Sequence, residues 1–145
     1  MDVLQKKGLT PLRAILAFSL LTTTLHYAHN VIRAADYPQI PGIPVVVAQV
    51  VVAFAWVLFT TFGVLGYRAY LRERYPRALA FLLVYSLSGL VSAGHFLVGV
   101  PQVPAFWFAT IFSDTAAALA LWAFVTWAWS VVNHAPARDQ VSTQH

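Results

Sequence analysis

Phe108-Ala109-Thr110-Ile111-Phe112-Ser113-Asp114-Thr115-Ala116-Ala117-Ala118-Leu119-Ala120-Leu121-Trp122 is apolar except for its hydroxyls and one acid. The run continues from Pro104 to Val132 with no second charged residue. A helix of that length exceeds the ~30 Å thickness of a hydrocarbon core. The stretch therefore reads as a membrane span, and Asp114 as an ionisable group held inside it. A charge at such a depth costs ~2.5 kcal/mol or more. It calls for a partner, a proton or a chemical task.

Three further runs are long enough to span: about Leu12 to Ala34, Pro44 to Tyr67, and Ala78 to Gly99. No acidic residue other than Asp114 lies inside any of the four. The 145-residue chain is 59% hydrophobic and 10% charged, with a mean hydropathy of +0.68. Soluble domains carry about 25% charged residues. The expected fold is all-α: a polytopic membrane protein with a four-helix transmembrane bundle. The runs are too long and too continuous for barrel strands.

Residues 1–11 and 134–145 are expected to flank the bundle, the second as a disordered tail. Lys6, Lys7 and the apolar segment Ala14 to Leu25 have the form of a signal peptide. No small-residue cleavage site follows, because His26, Tyr27 and His29 occupy its place. The segment is therefore expected to stay as the first span.

Lys6, Lys7, Arg13, Arg68, Arg72, Arg74, Arg77 and Arg138 fall at one end of the spans, and only Arg33 at the other. This asymmetry predicts both termini in the cytoplasm and a multi-pass protein of the cell membrane. It also accounts for the net charge of +4 without nucleic acid as a partner. Membrane lipids are the expected partners, with a second copy or a larger membrane complex as further candidates. Two proline-rich turns, residues 36–44 and 100–104, close two helical hairpins at the outer end. Each contains Pro-Gln-aliphatic-Pro, either a weak internal repeat or convergent turn chemistry. Tyr67, Tyr70, Tyr75, Trp127 and Trp129 suit the inner interface, and Tyr37 and Trp107 the outer one.

At 1.5 Å per residue, His29, His95 and Gln49 lie roughly 7 Å below the outer ends of their spans. His26 lies roughly 12 Å deep, and Asp114 roughly 15 Å. Ser19, Thr22 or Thr23, His26, His29 or Asn30, and Arg33 recur at helical spacing on the first span. Tyr85, Ser88, Ser92 and His95 do so on the third, and Trp107, Thr110, Asp114 and Ala117 or Ala118 on the fourth. Polar stripes turn inward from lipid, so an outer-half pocket is expected.

Neutral imidazoles and a carboxylate are ligands for zinc, iron, copper or manganese. The leading expectation is a transition metal ion or haem held by His26, His29 and His95. Asp114 would be a fourth metal ligand or the partner that fixes a histidine tautomer. Asn30, Gln49, Tyr85, Ser88 and Ser92 would support the site. The alternatives are an isomerase-like enzyme on a lipid-soluble substrate, with Asp114 and His26 exchanging protons, and a structural or accessory subunit. The absence of cysteine excludes disulfides, thiolate metal sites, iron–sulfur clusters and cysteine nucleophiles. His-Glu-x-x-His, Gly-x-Ser-x-Gly and phosphate-loop motifs are absent as well. Gly63 and Gly66, Gly89 with Ala93 and Gly94, and Ala116 with Ala120 mark expected close helix contacts.

Overall fold

A computed structural model describes residues 3–134. The tail, with Arg138 and His145, lies outside the described residues. Among those described the chain is helical with no strand. A π-helical turn, Leu4–Gly8, leads into α1, Leu9–Ile32; α2 is Val45–Leu71, α3 Tyr75–Ser92, α4 His95–Val98, and α5 Ala105–His134. Four helical segments are long and apolar enough to cross a membrane, with α3 and α4 together forming the third.

The long helices form a ring. Each packs on its neighbours in sequence, and α5 closes against α1. None of the apolar stretch of α2 is buried inside the protein. Val46, Val50, Phe54, Val57 and Leu58 all face outward from it. In water this would be an apolar patch far larger than soluble monomers tolerate, whereas in lipid it is an ordinary helix face.

Three details differ from the sequence reading. Helix begins at Leu4, not Leu12, because the first turn docks into the bundle: Leu4 is 1% exposed, and its carbonyl accepts from the Tyr70 hydroxyl at 2.7 Å. The third span breaks at Ala93–Gly94, so His95 starts a separate short helix. Ala116 is exposed and Ala120 half-buried, while the neighbouring Ala117 and Ala118 are buried. The close approach to α3 therefore uses the adjacent face of α5.

The apolar core sits at the basic end, where Leu12, Tyr70, Leu79, Leu82, Leu121 and Phe124 meet. Gly66 lets α2 reach Leu82 of α3, and Gly63 lets it lie on the Tyr85 ring. The α2–α3 turn is a Schellman motif. Glu73 N–H donates to the Tyr70 carbonyl and Arg74 N–H to that of Ala69, each at 3.0 Å. The motif puts Glu73 at φ 58°, a left-handed conformation that side chains resist. Glu73→Gly should raise stability by about 0.5–1 kcal/mol. Unfolding of the detergent-solubilised protein measures this, and an unchanged or lower midpoint would contradict it.

The other half of the bundle is filled with polar side chains. Ser19, Thr22, Thr23, His26, Asn30, Ser88, Ser92, Thr110 and Asp114 are all buried. Packing thus anchors one end and leaves hydrogen bonding to organise the other.

Candidate functional site

The buried face of α1 carries Thr22, His26 and Asn30 at four-residue spacing, which stacks them on one line. That line meets Thr110 and Asp114 of α5, and Ser92 and His95 from the third span. His26, 1% exposed, places Nδ1 3.1 Å from the Thr110 hydroxyl oxygen. The Thr110 hydroxyl donates to the Trp107 carbonyl at 2.6 Å. Its one proton is thereby committed, so Thr110 accepts and His26 Nδ1 carries the hydrogen. His26 Nε2 keeps a lone pair with no protein partner.

His95 has the complementary arrangement. The Asn30 side-chain amide donates to His95 Nε2 at 3.1 Å, which places the ring proton on Nδ1. The two rings stand edge to face with centroids 5.5 Å apart. The pair therefore offers one acceptor, His26 Nε2, and one donor, His95 Nδ1–H.

Tyr37 closes this arrangement from above. It precedes Pro38 and is extended, at φ −96° and ψ 154°, as a residue before proline prefers. Its ring lies against His95 at 4.9 Å and against His26 at 5.9 Å. Its hydroxyl meets His29 Nδ1 at 2.9 Å. Burial, and next the adjacent Asp36 carboxylate, push the phenol pKa up to about 12. The phenol thus stays neutral at physiological pH and can donate to His29. The two outer turns are tied together where Gln102 N–H donates to the Asp36 carbonyl at 3.2 Å. The exposed Arg33–Asp36 ion pair at 2.8 Å adds little stability.

A cavity of about 400 Å³ opens beside these groups. His26, Tyr27, Asn30, Tyr37, Ser92 and His95 line one side. The opposite wall is apolar and comes chiefly from α2, through Val47, Ala48, Val51, Val52 and Ala55. Ile40 and Ile43 of the first proline turn continue that wall.

The four expected ligands do not converge. Among the described residues no group of three or more His, Asp or Glu is placed to hold a metal ion. His29 turns away from the pair, stacking on Trp107 with centroids 4.2 Å apart. Asp114 is fully buried but hydrogen-bonds no histidine. Ser92 donates to its Oδ2 at 3.0 Å, while Oδ1 has no hydrogen-bond partner. The Thr22 hydroxyl stands alongside but is turned to the Ser19 carbonyl at 3.2 Å. The expected His–Asp pairing fails because Asp114 lies deeper than the histidines and Ser92 takes its carboxyl.

The remaining predicted site residues are structural in their contacts. Gln49 donates to the Val31 carbonyl at 2.8 Å, satisfying an acceptor in the last turn of α1. Ser88 donates to the Tyr85 carbonyl at 2.8 Å, and its own carbonyl accepts from the Tyr27 hydroxyl at 2.9 Å. The Tyr85 hydroxyl has no partner in hydrogen-bonding geometry, with Ser19 and Thr23 beside it. Tyr37 and Trp107 read as interface anchors or stripe residues in the sequence, yet both contact the site histidines, as does Tyr27. The signal for Tyr37 was its place before Pro38, which turns the chain back over the bundle.

No protein-family model, curated protein or solved structure matches this chain.

Proposed function

We propose that this protein binds a lipid-soluble molecule with a hydroxyl-like polar end in the cavity between α1, α2 and the third span. The observation that carries this reading is that His26 and His95, whose rings stand 5.5 Å apart, both line the cavity beside an apolar wall, with His26 Nε2 and His95 Nδ1–H left unpartnered by the protein. A hydroxyl donates to the first and accepts from the second. The apolar body lies along Val47, Val51 and Ala55. A site with few polar groups on an apolar wall is the usual form of a small-molecule pocket.

The basic end faces the cytoplasm in this reading, which places both termini inside and the cavity in the outer half of the cell membrane. If the bound molecule is turned over, the groups at its polar end are His26 and His95. Asp114 lies behind Ser92 and does not line the cavity, so it is not the proton donor. A metal ion or haem would have only the His26–His95 pair to rely on.

Filling the cavity tests the reading. Val51 is 59% exposed and lines the cavity, so Val51→Trp alters the wall without touching the core. Native mass spectrometry of protein purified in mild detergent should show an organic adduct on the wild type and at least a tenfold lower occupancy in the variant. An equal adduct on both proteins would overturn the proposal.

A further inference from the structure

A second concavity lies at the opposite, basic end of the bundle, between α1 and α2. It has a volume of about 260 Å³, below the ~300–1,000 Å³ of compact-ligand pockets. Its walls are Leu16 and Leu20 of α1 and Val64 of α2, and Gly63 forms its base against Tyr85. A Cβ at Gly63 would lie 3.0 Å from the Tyr85 ring, so the glycine is what brings the base of the groove this low. Apart from Thr60 the lining between Arg13 and Leu20 is apolar or aromatic, a surface suited to one hydrocarbon chain.

Its mouth is different. Arg13 and Tyr67 stand there, and Arg13 Nε donates to the Tyr67 hydroxyl at 2.9 Å. That bond fixes the guanidinium and leaves both terminal nitrogens without a carboxylate. The one ion pair among the described residues is Arg33–Asp36, at the far end. The same end of the bundle carries two lysines and five arginines in all: Lys6, Lys7, Arg13, Arg68, Arg72, Arg74 and Arg77. Glu73 is the one carboxylate among the described residues of that end.

The geometry points to a binding site for an anionic phospholipid of the leaflet at the basic end. The phosphate sits on the free face of the Arg13 guanidinium, a planar donor fork suited to phosphate oxygens. One acyl chain lies in the groove between Leu16, Leu20 and Val64. The site shares no lining residue with the outer cavity, so it stands or falls independently of the function proposed above.

The test uses the full chain in mild detergent, titrated with phosphatidylglycerol or phosphatidylcholine of identical acyl chains and read by native mass spectrometry. Wild type should retain phosphatidylglycerol in clear preference. Arg13→Gln should lower that retention about fivefold, with Arg13→Lys recovering part of it. Ala17, exposed at the groove, provides a second variant that leaves the core intact. Ala17→Trp fills the groove and should reduce retention of both lipids. Arg72→Gln, away from the groove, should leave retention unchanged. Equal retention of the two lipids by wild type, or an Arg13→Gln protein that binds as wild type does, would overturn the assignment. So would displacement of the lipid by glycerol phosphate at equal concentration, since that would show a headgroup site with no use for the groove.

Discussion

Gly89→Leu is expected to cost about 3 kcal/mol or more, the largest stability loss of any single substitution considered. Gly89 of α3 faces the Asp114 carbonyl of α5 so closely that even a Cβ would collide with it, and the Ala118 Cβ would lie 3.1 Å away. Both obstacles are fixed parts of a helix, not the end of a flexible side chain. The helices must separate, and overpacking of this kind costs ~1–3 kcal/mol, sometimes more. Gly42→Ala is the matched control. Gly42 has φ +86° and nothing within 4 Å of an added Cβ. Its loss should be about 1–2 kcal/mol, from backbone strain alone. Unfolding followed by tryptophan fluorescence compares the two, and a Gly89→Leu protein as stable as Gly42→Ala would refute the tight α3–α5 crossing.

His26→Leu should reduce adduct occupancy in the outer cavity by about tenfold while leaving the fold in place. The substitution removes Nε2, the acceptor for the ligand's hydroxyl, and a buried donor left unpaired costs ~1–3 kcal/mol. A factor of ten corresponds to 1.4 kcal/mol. The fold survives because the Thr110 hydroxyl keeps its bond to the Trp107 carbonyl. His95→Leu should act similarly, by removing the donor. His29→Leu should have a much smaller effect, since His29 contacts Tyr37 and Trp107 and does not line the cavity. Equal losses for all three histidines would show that the ring pair is not the recognition element.

Much of the fold was legible in the sequence because membrane helices announce themselves by length. Leu12 to Ala34 and Pro104 to Val132 could be drawn from apolar continuity alone. The missing detail was local: no span-level pattern shows that Ala93–Gly94 breaks the third helix, or that Leu4 docks as the first buried turn. The polar stripes were also legible, since Thr22, His26 and Asn30 share a face by spacing. Their partners were not. Depth along separate helices gives no rotation, so the sequence could not tell that Ser92 takes Asp114 or that Trp107 takes His29. Tyr37 was misread for the same reason, as a loop tyrosine looks like an interface anchor until the turn is seen to fold back.

This leaves Asp114 as a buried link between α5 and the third span, and the proposed binding rests on the His26–His95 pair instead. The most direct measurement is the identity of what wild-type protein carries out of its native membrane. Denaturing extraction with mass spectrometry, and metal analysis on the same sample, distinguish the choices. The proposed binding predicts an apolar organic molecule with a hydroxyl-like group at near one per chain and no stoichiometric transition metal. A stoichiometric metal ion or haem, or protein carrying neither and binding no lipid-soluble hydroxyl compound, would contradict it.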